Sequence, residues 1–151
     1  MIMMNPELHT TCRMLDMSIG NLDLKRLPTS VQGGFPSPAE DFLFTPINLA
    51  TRIAPRPVST FVMRVRGDSM KDAGIPDGCL ISVDRSVHPK HGDIVVAAID
   101  GEFTVKQLSI REGKYALKPA NDNYPTFELK EGQVLEIWGV VMASVTELHR
   151  P

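Results

Sequence analysis

The chain has 151 residues, 42% of them apolar and 23% charged, which suits one compact domain with a core and a short appendage. Its 16 Lys plus Arg against 18 Asp plus Glu leave a net charge of −2, so a strong grip on nucleic acid or anionic membrane through bulk positive charge is excluded. No uncharged apolar run approaches the ~18 residues of a membrane span, and MIMMNPELHT lacks the basic start and apolar run of a secretory signal. Cys12 and Cys79 stand far apart without metal-ligand spacing. The expectation is therefore a cytoplasmic protein without a disulfide framework, a metal or an organic cofactor.

In chain order, residues 1–33 hold few β-branched side chains and one weakly helical stretch, Met14 to Leu27, broken by Gly20 and stopped by Pro28. Such a segment cannot bury a core of its own, so it reads as an N-terminal arm. Residues 34–58 carry Pro36, Pro38, Pro46, Pro55 and Pro57 and read as a Pro-rich tether with one short element. The β domain is expected over 59–151. Thr60 to Arg66 alternates, with Phe61, Met63 and Val65 on one face, and Gly67, Gly74, Pro76, Asp77 and Gly78 mark turns after it. Leu80 to Asp84 is a second strand. Ile94 to Ile99, the turn Asp100-Gly101 and Glu102 to Ile110 form the clearest hairpin. Tyr115 to Pro119 and Val134 to Val145 supply closing strands. The fold class is mainly β, a compact antiparallel domain with a short N-terminal arm.

The hairpin permits a register deduction. With Asp100-Gly101 as a two-residue loop, Ile99 faces Glu102 and Lys106 lies opposite Val95, with Ala97, Thr104 and Leu108 as same-face neighbours. A lysine on an apolar strand face is either an edge residue snorkelling to water or a desolvated amine able to act as a base. Ser69, directly after a strand at a Gly-bearing turn, is either a turn residue or a nucleophile awaiting a base. Histidine is the usual base, but His9 lies in the arm, His149 near the end, and His88 and His91 in a Pro/Gly loop that reads as solvated surface. No His/Asp triad order, HExxH motif, phosphate loop or supported carboxylate pair stands out.

The run Gly67-Asp68-Ser69-Met70, followed by Asp72, Gly74-Ile75 and Asp77-Gly78, resembles the nucleophile segment of the LexA/UmuD family of self-cleaving serine–lysine peptidases. His91-Gly92-Asp93-Ile94-Val95-Val96-Ala97 and Asp100-Gly101-Glu102-Phe103-Thr104-Val105-Lys106 resemble that family's lysine hairpin. Val31-Gln32-Gly33-Gly34-Phe35-Pro36-Ser37-Pro38 resembles the cleavage segment of its UmuD branch. The likeness runs from about Val31 to Ala143, with three motifs in the family's order.

The resemblance implies that Ser69 is the nucleophile and Lys106 the general base. An ordinary lysine is neutral in only about one molecule in 2,500 at pH 7, so burial must weaken its charged form before it can take a proton. The backbone N–H groups of Asp68 and Ser69 are expected to form the oxyanion hole. The Asp68 side chain reads as a turn cap and not as a third catalytic member. The scissile bond maps to Gly33-Gly34, and cutting there would remove residues 1–33. One departure stands out, because Gly33 occupies a position where the family usually has Ala or Cys. Two glycines raise the entropic cost of ordering the segment and remove an anchoring side chain.

By the same resemblance the expected partners are a second copy in a homodimer, the RecA filament on single-stranded DNA, and a UmuC-like Y-family DNA polymerase of error-prone translesion synthesis. Three other functions compete. A LexA-like repressor needs a DNA-binding module before the cut, and residues 1–33 show neither a helix-turn-helix pattern nor a basic cluster. A signal peptidase shares the Ser-Met pair but typically has proline where Asp72 stands, and needs a membrane anchor. A catalytically idle binding partner would keep the fold and leave Gly33-Gly34 uncut.

Overall fold

The computed structural model describes residues 23–26, 33 and 45–149. Two short strands, β1 (Asp23–Arg26) and β2 (Thr45–Asn48), pair antiparallel, with Asp23 opposite Asn48 and Arg26 opposite Thr45. This corrects the helical reading of Met14 to Leu27 where the structure describes it. The sequence LDLKRL satisfies either period, and a partner strand distant in sequence decides between them. The remainder of that stretch lies outside the described residues.

After β2 comes one turn of helix, α1 (Leu49–Ile53), begun by Asn48, whose Oδ1 accepts the Thr51 N–H at 3.3 Å. Among its described residues the tether therefore carries a strand, a helical turn and the start of a 3-10 turn at Pro57–Ser59, where one short element was expected. Its end is packed: Ala54 is buried, and Ser82 Oγ donates to the Ile53 carbonyl at 2.7 Å.

The main body is a seven-stranded antiparallel sheet of β3 (Thr60–Arg64), β4 (Leu80–Asp84), β5 (Ile94–Ile99), β6 (Glu102–Arg111), β7 (Lys114–Lys118), β8 (Phe127–Glu128) and β9 (Leu135–Val145). Their spatial order is β3-β4-β9-β5-β6-β7-β8. The mainly antiparallel β class is as expected, and β4 and β5 have the expected bounds. The two-residue β8 escaped the sequence reading because two residues carry no periodicity.

β5 explains why the sheet must be covered on both faces. Its run IVVAAI is apolar at every position, and alternate residues serve different cores. Val96 joins Val65, Met70, Ile75, Ile81 and Trp138, whereas Val95 and Ala97 join Leu108, Leu117 and Ile137. Trp138 is boxed by edge-on contacts from Phe61 and Phe103, with the Arg85 guanidinium 4.7 Å from its ring centre. Where β9 shifts register against both neighbours, Gly139 lies so close to β4 that an added Cβ would sit 2.7 Å from Val83 Cγ1. A side chain there would force the strands apart.

The β5–β6 hairpin has the deduced register, with Ile99 opposite Glu102 and Lys106 opposite Val95. Asp100 and Gly101 both take positive φ, 49° and 86°, as a tight hairpin turn of matching twist requires.

Candidate active site

Two excursions from the sheet bring the candidate residues together. The first leaves β3. Backbone bonds from Val65 N–H to the Cys79 carbonyl (2.9 Å) and from Gly78 N–H to the Val65 carbonyl (2.8 Å) close a loop over Arg66–Gly78. At its start Gly67 adopts φ +91°, a left-handed conformation that a side chain would strain, and its N–H is held by Asp77 Oδ1 at 2.7 Å. Met70 and Ile75, each 2% exposed, plug the loop into the core. Ser69, between them and the surface, is half-buried.

The second element is β6. The segment before β5 is locked along it, since Gly92 N–H donates to the Leu108 carbonyl and Leu108 N–H to the Asp93 carbonyl, both at 2.8 Å. His91 is exposed, as expected, but its Nδ1 also accepts the Ile110 N–H at 2.9 Å. That bond gives it a structural role which the sequence reading missed.

These constraints place Lys106 Nζ 3.0 Å from Ser69 Oγ, across 37 residues of sequence. The same nitrogen lies 2.7 Å from Thr104 Oγ1 and 3.1 Å from the Val105 carbonyl. Thr104 and Lys106, two apart on a strand, share one side. A neutral amine has two N–H donors and one lone pair. With the donors given to Thr104 and Val105, the lone pair is left for the Ser69 hydroxyl. Burial disfavours the ammonium and lowers the Lys106 pKa below the ordinary lysine value. The edge-lysine alternative does not fit, because the nitrogen points into a polar cluster.

Two cavities flank the pair. One of about 280 Å³ adjoins Ser69 and is lined largely by apolar groups, among them Met63, Met70, Val96 and Phe103. The other, of about 650 Å³, lies along Lys106, Thr104 and Leu117. Phe103 and Thr104 border both. The arrangement can therefore accept an extended segment over the serine, with small or apolar side chains on either side.

Asp68 departs from expectation. Its carboxylate does not cap a turn amide but accepts the Tyr124 hydroxyl at 2.6 Å. That hydrogen bond, and the negative charge behind it, raise the Tyr124 pKa. The Asp68 carbonyl accepts Asn121 Nδ2 at 3.0 Å, and the Ser69 carbonyl accepts the Ala120 N–H at 2.8 Å. The Asp68 and Ser69 N–H groups donate to no acceptor among the described residues. Sequence reasoning passed over Ala120–Tyr124 entirely. The only signal was a cluster of turn-forming polar residues, which reads as loop.

Gly33 is exposed, with nothing within 4 Å of an added Cβ, while Gly34 and the rest of the cleavage-like segment lie outside the described residues. Cys79 is buried and free, and burial raises its thiol pKa; Cys12 lies outside the described residues. Among the described residues no helix is long and apolar enough to cross a membrane.

An antiparallel β domain presenting a turn serine beside a strand lysine has the form of a serine peptidase domain. Residues 26–142 match the Peptidase S24-like family, and the chain belongs to it. It is 46% identical over 110 residues to Protein ImpA of Escherichia coli, covering 73% of this chain and 74% of that protein. Protein MucA of Escherichia coli is 42% identical over 118 residues, 78% of this chain and 80% of that one. The LexA repressor of Xylella fastidiosa (strain M23) is 37% identical over 126 residues, 82% of this chain but 59% of the repressor. The likeness to LexA/UmuD peptidases drawn from the motifs is thus borne out at family level, as is the assignment to serine peptidases.

Proposed function

We propose that this chain is a UmuD-like protein of the bacterial DNA-damage response that cuts itself once, at Gly33-Gly34. The observation carrying the proposal is the 3.0 Å approach of Lys106 Nζ to Ser69 Oγ, on a lysine whose charged form burial disfavours. Neutral Lys106 takes the Ser69 proton as Oγ attacks the Gly33 carbonyl carbon. The Asp68 and Ser69 N–H groups receive the negative charge that develops on the carbonyl oxygen. When the C–N bond breaks, Lys106 returns the proton to the Gly34 nitrogen. An ester joining Ser69 to Gly33 remains, and water, deprotonated by the same lysine, releases it. The products are residues 1–33 and 34–151.

By family resemblance the cut is stimulated by RecA filaments on single-stranded DNA, and the trimmed homodimer joins a UmuC-like Y-family polymerase in the cytoplasm. The chain spans 59% of the length of the LexA repressor and 74% of that of Protein ImpA.

The test is the intact mass of the purified chain after incubation with RecA, an ATP analogue and single-stranded DNA, beside a Ser69→Ala control. A fragment beginning at Gly34 is expected, and only without the substitution. An unchanged mass, also at alkaline pH, would replace this proposal with the idle binding partner. The same assay probes the departure at Gly33. Its φ lies outside the left-handed region and its surroundings are open, so alanine fits. Relieving one glycine's ordering cost of about 0.5–1 kcal/mol should make Gly33→Ala cut roughly two- to fivefold faster. Equal rates would show that ordering of this bond is not limiting.

A further inference from the structure

The nucleophile turn is held by one short stretch that lies far from it in sequence. Asn121 is only 4% exposed, and both polar ends of its side chain are engaged. Nδ2 donates to the Asp68 carbonyl at 3.0 Å, and Oδ1 accepts the Asn123 N–H at 3.0 Å. Ala120 grips the turn twice, its N–H on the Ser69 carbonyl at 2.8 Å and its carbonyl on the Asp72 N–H at 3.0 Å. The Tyr124 hydroxyl takes the Asp68 carboxylate. The Asp68 carbonyl already has a local donor, Lys71 N–H at 3.2 Å. A buried side-chain amide directed at the same oxygen therefore exceeds what satisfying that oxygen requires.

Peptide geometry supplies a reason for the second donor. The Asp68 carbonyl and the Ser69 N–H belong to one planar trans unit and point in opposite directions. Drawing the carbonyl towards Asn121 turns the Ser69 N–H to the other side, where it meets no acceptor among the described residues. Two donors on the carbonyl also polarise the unit and strengthen the N–H as a donor. The Tyr124 bond meanwhile fixes a carboxylate that would otherwise be free to compete for that N–H.

We infer that Asn121 is a positioning residue for self-cleavage, which aims and polarises the Ser69 N–H for the developing oxyanion, with Tyr124 holding the Asp68 carboxylate clear. The inference rests on the serine peptidase reading above. Its test is the first-order self-cleavage of the full chain from pH 7 to 10.5, followed by intact mass for wild type, Ser69→Ala, Asn121→Ser and Tyr124→Phe. A serine hydroxyl can still accept the Asn123 N–H but is too short to reach Asp68. Losing one aimed oxyanion donor should lower the Asn121→Ser plateau on the order of 10- to 100-fold. The midpoint of the pH profile should stay in place, because it belongs to Lys106. Tyr124→Phe should lower the plateau by a smaller factor, again without moving the midpoint.

A merely structural role predicts a different pattern, in which the midpoint moves or the loss follows a fall in melting temperature. Either pattern, or an Asn121→Ser plateau equal to wild type, overturns the inference. If Asn121→Ser does not fold, Tyr124→Phe decides, and a wild-type plateau there overturns it. A wild type that yields no more fragment than Ser69→Ala removes the peptidase reading, and this inference with it. A wild type that cuts beside an unaffected Asn121→Ser removes the inference alone.

Discussion

Lys106→Met should arrest self-cleavage, lowering its rate by at least about 10³-fold at neutral pH, while the protein stays folded. Methionine keeps the stem that packs along the strand and discards the amine. Lys106→Arg should be equally inactive, since a guanidinium does not lose its proton in proteins. As the proposed base, Lys106 would act only when neutral, so the wild-type rate should climb about tenfold per pH unit and then level off. Burial lowers the Lys106 pKa, which brings the plateau to a lower pH than an ordinary lysine would give. The linkage has a definite sign. The folded state disfavours the charged amine, so Lys106 costs stability at neutral pH, and that cost fades as pH rises towards the usual lysine value. Lys106→Met should accordingly melt no lower than wild type at pH 7. Rate–pH profiles and melting curves check both statements, and a Lys106→Met chain that still cuts at the wild-type rate would refute the mechanism.

The largest stability effect is expected at Asp84, which has no part in the chemistry. Its carboxylate is 0% exposed and receives Arg56 Nε at 2.7 Å, Ser59 Oγ at 2.9 Å, Ser86 N–H at 2.8 Å and Ser86 Oγ at 2.7 Å. Burial alone would raise its pKa, but the bonds from Ser86, Ser59 and Arg56 outweigh burial and hold it at about 2. The cluster ties the end of β4 to the segment leading into β3. Asp84→Ala strands several donors at once and should cost about 3–5 kcal/mol, or roughly 10–20 °C in melting temperature. The charge itself supplies on the order of 2 kcal/mol, part of it screened through Arg56, whose side chain is 50% exposed. A carboxylate with a depressed pKa stabilises fully above its unfolded value near 3.9, and its contribution drains away as pH falls towards 2. Asp84→Asn should flatten that part of the acid-denaturation curve. An unchanged acid transition would show that other groups set acid stability.

What could be read from the sequence was whatever short-range chemistry decides. Asp100-Gly101 dictates a two-residue turn, and from it the register that sets Lys106 opposite Val95 follows by counting. Alternation gave β3, and an unbroken apolar run gave β5. The pairing of Ser69 with Lys106 was another matter. Each has a bland local reading, and only the resemblance to a family joined them before the loop over Arg66–Gly78 was seen to do so. The parts left unread depend on distant partners. Asn121 and Tyr124 look like turn residues until they meet Asp68, and Asp84 looks like an ordinary strand-end carboxylate until Arg56 closes on it. Asp23–Arg26 becomes a strand because Thr45–Asn48 is there to pair with it.

That last pairing has a consequence for what a single cut would accomplish. β1 precedes Gly33 and β2 follows Gly34, so before hydrolysis the two are joined by the backbone between them. A short tether of this kind keeps its ends at an effective concentration of about millimolar. Four residue pairs in a two-stranded ladder are marginal without that help. Hydrolysis between Gly33 and Gly34 would exchange a local equilibrium for one that depends on dilution, and at cellular concentrations the small fragment would depart. The edge of β2 would then be left without its neighbour, and rejoining would require two separate molecules to meet. Under the proposed cleavage the β1–β2 pair would act as a ratchet, in which breaking one covalent bond makes a weak non-covalent contact effectively irreversible.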